Sequence, residues 1–355
     1  MKITFIAPYM SGRGGTETVV SSVLNNLISH YNDLKVTLLL TEKTRDKTWI
    51  NYLDNRIHII YPKIENKLTK AFSLFSYVAR KNPDLVIILG ANIIPYVEKL
   101  RKIFRKKFKI LSWIQISLFT KKIPNPQNVT YADYHLAISS GIKQQLKSLS
   151  VPESKIFTIY DPVKPTKATI IRSRKSQKNK NKKLLYIGRI EFKEQKNIKE
   201  LLDALSLVHG NWFLDIFGSG KDLKKCQEYA KKNNINNKIK WHGWADRPWE
   251  QIKEADVLLL TSTYEGFGMV LAEAISRGLP CISSNCPVGP NDIINKNNGF
   301  LYSPGNKKQL ASSIQKIVNG YTFGSIESIK SSISELYEKN YFNRFFKDLD
   351  KITNH

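Results

Sequence analysis

Two glutamates, Glu265 and Glu273, stand eight positions apart in the stretch Thr261-Ser-Thr-Tyr-Glu-Gly-Phe-Gly-Met-Val-Leu-Ala-Glu-Ala-Ile-Ser-Arg-Gly-Leu-Pro280. The apolar run Val257 to Leu260 before them reads as a strand, Gly266 and Gly268 as a turn, and the residues after them as a helix ending at Gly278 and Pro280. That pattern puts Glu265 in a loop at a helix N-terminus, where backbone N–H groups and the helix dipole favour an anion. It puts Glu273 about two turns into the helix. Carboxylates accept hydroxyl hydrogen bonds, so such a pair beside a phosphate-friendly helix end suits a sugar nucleotide. Taken alone, the same residues also describe a solvated helix start with a C-cap glycine.

Cations and glycines occur in other loops of the same kind. Arg189 leaves the apolar run Lys183 to Ile187, and Lys196 opens the next helix, so a guanidinium fork and an ammonium point charge can converge on a diphosphate. Seen alone, both are also ordinary surface charges. Gly12, Gly14 and Gly15 fall between the first strand and the first helix, where backbone amides can approach phosphate or sugar oxygens. This is close to a dinucleotide fingerprint, but the acid expected to hold a nicotinamide ribose, Glu42, is badly spaced and followed by Lys43. A nicotinamide enzyme is therefore the lesser reading. Gly218, in Phe217-Gly-Ser-Gly-Lys, and Gly243, in Trp241-His-Gly-Trp, close two further strand ends, where tight turns alone would also call for glycine. His242 has no second histidine or acid spaced to join it on a metal.

Two alternating halves of strand and helix position these loops. In the first, strands are expected at Ile3 to Ala7, Lys35 to Leu40, Leu85 to Leu89, Lys109 to Trp113, Tyr134 to Ile138 and Ile156 to Tyr160, with an amphipathic helix from about Glu17 to Ser29. In the second they are expected at Lys183 to Ile187, Trp212 to Phe217, Ile239 to His242, Val257 to Leu260 and Cys281 to Ser283. The expected division is residues 1–163, a basic linker 164–183, a second domain 184–335, and a C-terminal helix 336–355 that crosses back to the first. Between Lys164 and Lys183 lie nine basic residues and no acid, the composition of a solvated linker.

At 355 residues and 41% hydrophobic, the chain is long enough for two domains with their own cores. No apolar run approaches a membrane span, and the first strand begins at once, so a cytoplasmic protein is expected. Cys226, Cys281 and Cys286 have no metal-ligand spacing and read as reduced thiols. The balance of 56 Lys and Arg against 30 Asp and Glu gives a net charge of +26, which attracts nucleic acid, anionic membrane or acidic small molecules. A helix over Tyr96 to Lys109 would gather Tyr96, Val97, Leu100, Ile103, Phe104 and Phe108 on one side. Lys99, Arg101, Lys102, Arg105, Lys106 and Lys109 fill the rest. Its apolar side suits a core, and its basic side an anionic leaflet or a phosphorylated acceptor. A nucleic-acid-binding protein is the rival from another class. It rests on charge alone, because no helix-turn-helix, zinc finger or aromatic RNA-binding strand is present.

The Glu-x7-Glu spacing, the glycines after Glu265 and the strand before it together resemble the donor-site signature of the retaining glycosyltransferases of family 4. Gly188-Arg189 followed by Lys196 is similar to that family's diphosphate-clamping pair, in the same order along the chain. Ser112-Trp-Ile, Tyr131-Ala-Asp-Tyr-His-Leu-Ala-Ile-Ser-Ser-Gly-Ile-Lys, Gln195-Lys, Trp241-His-Gly-Trp and Pro280-Cys-Ile-Ser-Ser resemble the branch that galactosylates the lipopolysaccharide core, and the likeness covers nearly the whole chain.

The resemblance implies a GT-B fold: α/β, with two Rossmann-like domains whose parallel sheets face each other across a central cleft. It implies that Glu265, with Gly266, Phe267 and Gly268, holds the donor sugar, and that Glu273 holds the ribose hydroxyls. Arg189 and Lys196 would neutralise the departing UDP, Gly14, Gly15 and Thr16 would approach the donor, and Gly218 and Gly243 would flank the base. Gln115 stands where many relatives carry a histidine; it cannot take a proton, though its amide can hold a hydroxyl. Proton transfer is then left to the departing phosphate. No metal and no cofactor are expected, the UDP-sugar being a substrate. The implied partners are that donor, a glycan or glycolipid acceptor and the anionic inner membrane, reached from the cytoplasmic face, with no specific nucleic acid. Glucose or another UDP-sugar, for a capsule or lipooligosaccharide, remains the alternative to galactose.

Overall fold

The computed structural model describes residues 1–354 apart from positions 9, 11, 13, 43, 45, 62–66 and 171–180, with no description of the side chains of 67–73. Ser11 and Arg13 of the first glycine turn, Lys43, and the middle of the lysine-rich segment thus lie outside the described residues. The chain divides into two units, Met1–Pro162 with Lys339–His355, and Val163–Glu338.

The first unit carries seven described strands: β1 Lys2–Ala7, β2 Lys35–Leu40, β3 His58–Ile60, β4 Leu85–Ile88, β5 Lys109–Ser112, β6 Tyr134–Ala137 and β7 Ile156–Thr158. They form one parallel sheet in the order β3-β2-β1-β4-β5-β6-β7. The second unit carries β8 Lys182–Ile187, β9 Trp212–Phe217, β10 Ile239–Gly243, β11 Val257–Leu260, β12 Cys281–Ser284 and β13 Gly299–Tyr302, parallel in the order β10-β9-β8-β11-β12-β13. Central strands such as Leu-Val-Ile-Ile of β4 and Val-Leu-Leu-Leu of β11 are buried along their whole length. Strands covered by helices on both faces need such continuous apolar runs. Chain order reverses between β1 and β4 in one sheet and between β8 and β11 in the other, and the loops leaving the strands there are where such sheets bind ligands.

Several local expectations change. Strands β3 and β13 were not expected: each is a sheet edge of three or four residues, too short for a periodic signal. Lys182 and Lys183 belong to β8 rather than to a linker, and Ile170 is buried, its N–H bonded to the Arg277 carbonyl at 3.0 Å. The expected helix over Tyr96 to Lys109 covers only Ile94–Ile103. Arg105 takes a left-handed conformation, φ 49°, and Lys106 N–H closes onto the Arg101 carbonyl at 2.9 Å, which ends the helix. Tyr96 and Ile103 are therefore 66% and 57% exposed, while Phe108 is buried on the approach to β5. Arg101 turns inward to Glu98 and Asp133, and Lys109 Nζ donates to the Ile352 carbonyl at 2.6 Å, so neither belongs to a free basic face.

The helix Glu338–Asn354 joins the first unit from Lys339 onward. Tyr341, Phe342, Phe345, Leu349 and Ile352 form its buried stripe, Phe346 stacks on His30 at 3.8 Å, and Tyr31 Oη donates to Asp350 Oδ1 at 2.7 Å. All three cysteines are free and buried. Among the described residues no helix is long and apolar enough to cross a membrane, and no group of three or more His, Cys, Asp or Glu side chains could hold a metal ion.

Candidate functional site

The loops after β8 and β11 are stitched together at the switch point of the second sheet. After β8, Gly188 N–H bonds the Phe217 carbonyl at 3.0 Å, and the buried Tyr186 hydroxyl donates to the Arg189 carbonyl at 2.9 Å, fixing the backbone from which Arg189 projects. Burial raises the Tyr186 phenol well above its ordinary range, with Glu265 and Glu191 adding to the rise, so it remains a donor. The Arg189 side chain is 51% exposed; its Nη1 lies 3.1 Å from Glu191 Oε1 and its Nη2 donates to Gln195 Oε1 at 2.7 Å. Gln195 Nε2 donates in turn to the Tyr264 carbonyl at 3.1 Å, and the Gln195 carbonyl accepts from Thr263 N–H at 2.8 Å. Gln195 thus couples the arginine to the loop that carries Glu265.

Lys196 and Glu265 meet inside that seam. Lys196 Nζ lies 2.6 Å from Glu265 Oε1, with the two side chains only 13% and 9% exposed. Thr261 Oγ1 donates to the Lys196 carbonyl at 2.9 Å and holds the lysine backbone against β11. The chain then turns at Gly268, φ 98°, into the helix Met269–Ile275. Glu273 is the fifth residue of this helix, a little more than one turn in rather than two, because the glycine turn runs on to residue 268. Its Oε2 accepts from Trp249 Nε1 at 2.8 Å, and the Arg277 guanidinium lies 4.7 Å from the centre of the same indole. Burial raises the Glu273 carboxyl above its usual range, while the Trp249 hydrogen bond and Arg277 lower it.

Glycines close the neighbouring strand ends. Gly218, φ 154°, donates to the Gly243 carbonyl at 2.7 Å, and a Cβ there would overlap the Gly188 carbonyl. Gly243, φ 77°, has open space where a Cβ would stand. His242 stacks on Phe217 at 4.1 Å, with Nε2 2.6 Å from Asp215 Oδ1.

Gly14, Gly15, Thr16 and Gln115 belong to the other unit. Gly14 is the extended N-cap of the helix Gly15–His30, and no side chain caps it. Gly12, φ 83°, packs where a Cβ would strike Asp46, and its N–H donates to Glu17 Oε1 at 2.6 Å. Gln115 follows β5, and its buried Nε2 finds no acceptor among the described residues.

Chemically, the second-unit site offers a fixed carboxylate, Glu265, with Oε1 on Lys196, beside an ammonium with donors to spare. Arg189 adds a half-exposed guanidinium, and Glu273 a second carboxylate anchored by an indole. Sequence reasoning named Arg189, Lys196, Glu265 and Glu273 but gave Gln195 no role and missed Trp249. Gln195 was signalled only by its place beside Lys196. Trp249 had no signal, since its partner lies 24 residues away.

Residues 168–329, inside the unit that holds these four residues, match the family model described as "Glycosyl transferases group 1". The chain is 36% identical over 354 residues to the lipopolysaccharide 1,6-galactosyltransferase of Escherichia coli strain K12, covering 98% of this chain and 97% of that one. It is 35% identical to the enzyme of the same name from Salmonella typhimurium, over 99% of this chain and 100% of the relative. The solved apo structure of the lipopolysaccharide outer core galactosyltransferase WaaB aligns at a TM-score of 0.87 and 34% identity, covering 99% of both chains. Identity of this order along the full length of the relatives, with two parallel α/β sheets of the GT-B type, makes this chain a member of the group 1 glycosyltransferases.

Proposed function

We propose that this glycosyltransferase moves galactose from UDP-galactose onto a lipopolysaccharide core acceptor with retention of anomeric configuration, in the manner of family 4. The observation that carries the reading is the buried Lys196–Glu265 pair beside Arg189 at the β8/β11 switch point. The names of the Escherichia coli and Salmonella typhimurium relatives support the choice of sugar and acceptor.

In this reading Glu265 accepts hydroxyls of the donor sugar, and backbone amides of Gly266, Phe267 and Gly268 approach the sugar and phosphates. Glu273 holds the ribose, Gly218 and Gly243 leave room for the base, and Gly14, Gly15 and Thr16 bind the donor. The bond between the anomeric carbon and the phosphate oxygen breaks with its electron pair going to UDP. Lys196 and Arg189 stabilise that charge, which leaves no step for a metal ion or cofactor. The acceptor oxygen bonds to the anomeric carbon from the face that UDP leaves, and its proton passes to the departing phosphate. The Gln115 amide, which has no acceptor among the described residues, orients a hydroxyl and moves no proton.

The protein works in this reading from the cytoplasmic face of the inner membrane as a peripheral enzyme. Tyr96, Ile103 and Phe75 are exposed, and Lys99, Lys102, Arg105 and Lys107 surround the first two in sequence, a mixture suited to an anionic leaflet. A donor screen tests the core of the proposal. Release of UDP from UDP-galactose faster than from UDP-glucose, with GDP- and ADP-sugars inert, is the expected result. Preferential turnover of a GDP- or ADP-sugar would overturn it, and NMR of the product linkage decides retention.

A further inference from the structure

Glu273 is a flexible side chain asked to present one oxygen in a fixed direction, and its own helix does not supply the restraint. Arg277, one turn on, spends Nη1 on the Glu273 main-chain carbonyl at 2.9 Å rather than on the carboxylate. The restraint comes from outside the helix. Trp249 sits in the short helix Pro248–Gln251 between β10 and β11, started by a proline at its first turn. Its indole N–H reaches Glu273 Oε2 at 2.8 Å, and its ring is held by the Arg277 guanidinium at 4.7 Å. An indole nitrogen is a donor only, so the contact fixes which carboxylate oxygen is occupied and which is left open.

We infer that Trp249 is the positioning residue for Glu273: it locks Oε2 and thereby aims Oε1 at the ribose hydroxyls of the nucleotide, with Arg277 clamping the indole face. The inference rests on the proposed role of Glu273 as ribose holder. Arg277 is the charged group that faces the Glu273 carboxyl, from the turn just past the end of the helix Met269–Ile275; Trp249 is the contact from the neighbouring segment. Trp249 makes the carboxylate selective for a ligand with two vicinal hydroxyls, and touches no substrate itself.

The test is isothermal titration of the full chain with UDP and with 2′,3′-dideoxy-UDP, for the wild type, Trp249→Phe and Glu273→Ala. Phenylalanine keeps an aromatic face for Arg277 and removes the N–H together with the rest of the five-membered ring. The preference for UDP over the dideoxy nucleotide should fall about tenfold in Trp249→Phe, equal to about 1.4 kcal/mol, and further in Glu273→Ala. Affinity for the dideoxy nucleotide should stay within about twofold of wild type in Trp249→Phe. A general loss of structure would weaken both nucleotides together and would count against the inference. If Glu273→Ala lowers the preference and Trp249→Phe does not, Trp249 does not position the carboxylate. If Glu273→Ala leaves the preference intact, the ribose reading of Glu273 itself is wrong.

Discussion

Removing the ammonium from the buried pair at the β8/β11 seam is the most demanding test of the site. Lys196→Met leaves the buried Glu265 without its ion-pair partner, while Arg189 is engaged by Glu191 and Gln195. Breaking a buried pair by deleting one partner costs about 3 to 5 kcal/mol. The residual exposure of 13% and 9% puts this pair towards the lower end, about 3 kcal/mol. For a unit the length of Val163–Glu338 that corresponds to a fall in melting temperature of about 6 to 12 °C. Glu265→Gln should cost less, since the amide oxygen still accepts from Lys196. The double variant Lys196→Met/Glu265→Gln should be more stable than Lys196→Met alone, because the uncompensated charge is gone. Urea unfolding followed by tryptophan fluorescence reads the cycle, and UDP release from UDP-galactose reads function. All three variants should lose activity. The reasoning is refuted if the two single losses add in the double within about 0.5 kcal/mol, the behaviour of groups that do not interact.

Other parts of the molecule give further expectations. Asp161 is 3% exposed, its Oδ1 has no partner among the described residues, and burial pushes its carboxyl up to about 8. A raised folded value means that its contribution to stability is complete below the unfolded value near 4 and is lost as pH rises towards 8. Asp161→Asn should therefore flatten the fall in melting temperature across that window and leave the variant more stable than wild type at pH 8.5. Gly218→Ala forces a Cβ into the Gly188 carbonyl from a φ of 154°, and should cost about 2 kcal/mol or more in chemical denaturation and weaken UDP binding. In vesicle sedimentation, binding should rise with the fraction of anionic lipid and fall severalfold in Tyr96→Ser/Ile103→Ser with catalysis of a soluble acceptor unchanged. Binding indifferent to anionic lipid would remove the membrane reading.

Much of the architecture was legible because strands buried on both faces must be apolar along their whole length. The runs that became β4 and β11 stood out for that reason. The edge strands β3 and β13 did not, since each is short and takes its hydrogen bonds from a single neighbour. The early end of the helix Ile94–Ile103 was hidden by its closing residue: Arg105 adopts the left-handed conformation usually marked by glycine. Asn197, φ 45°, is left-handed too, at the N-cap of the helix Ile198–Leu205, so Lys196 precedes that helix rather than opening it.

The resemblance of its motifs pointed to a glycosyltransferase, and the sequence itself to two alternating α/β halves and to Arg189, Lys196, Glu265 and Glu273 as the residues to examine. Types and spacings sufficed for that, because strand ends and helix starts are local features. Only the tertiary structure decided how those residues hold one another. Lys196 binds Glu265 across 69 positions, Gln195 joins Arg189 to the Tyr264 carbonyl, and an indole 24 residues away anchors Glu273. Partners brought together by parallel crossovers leave no fixed spacing in a chain, since the connecting helices and loops can vary in length without changing which strand ends meet.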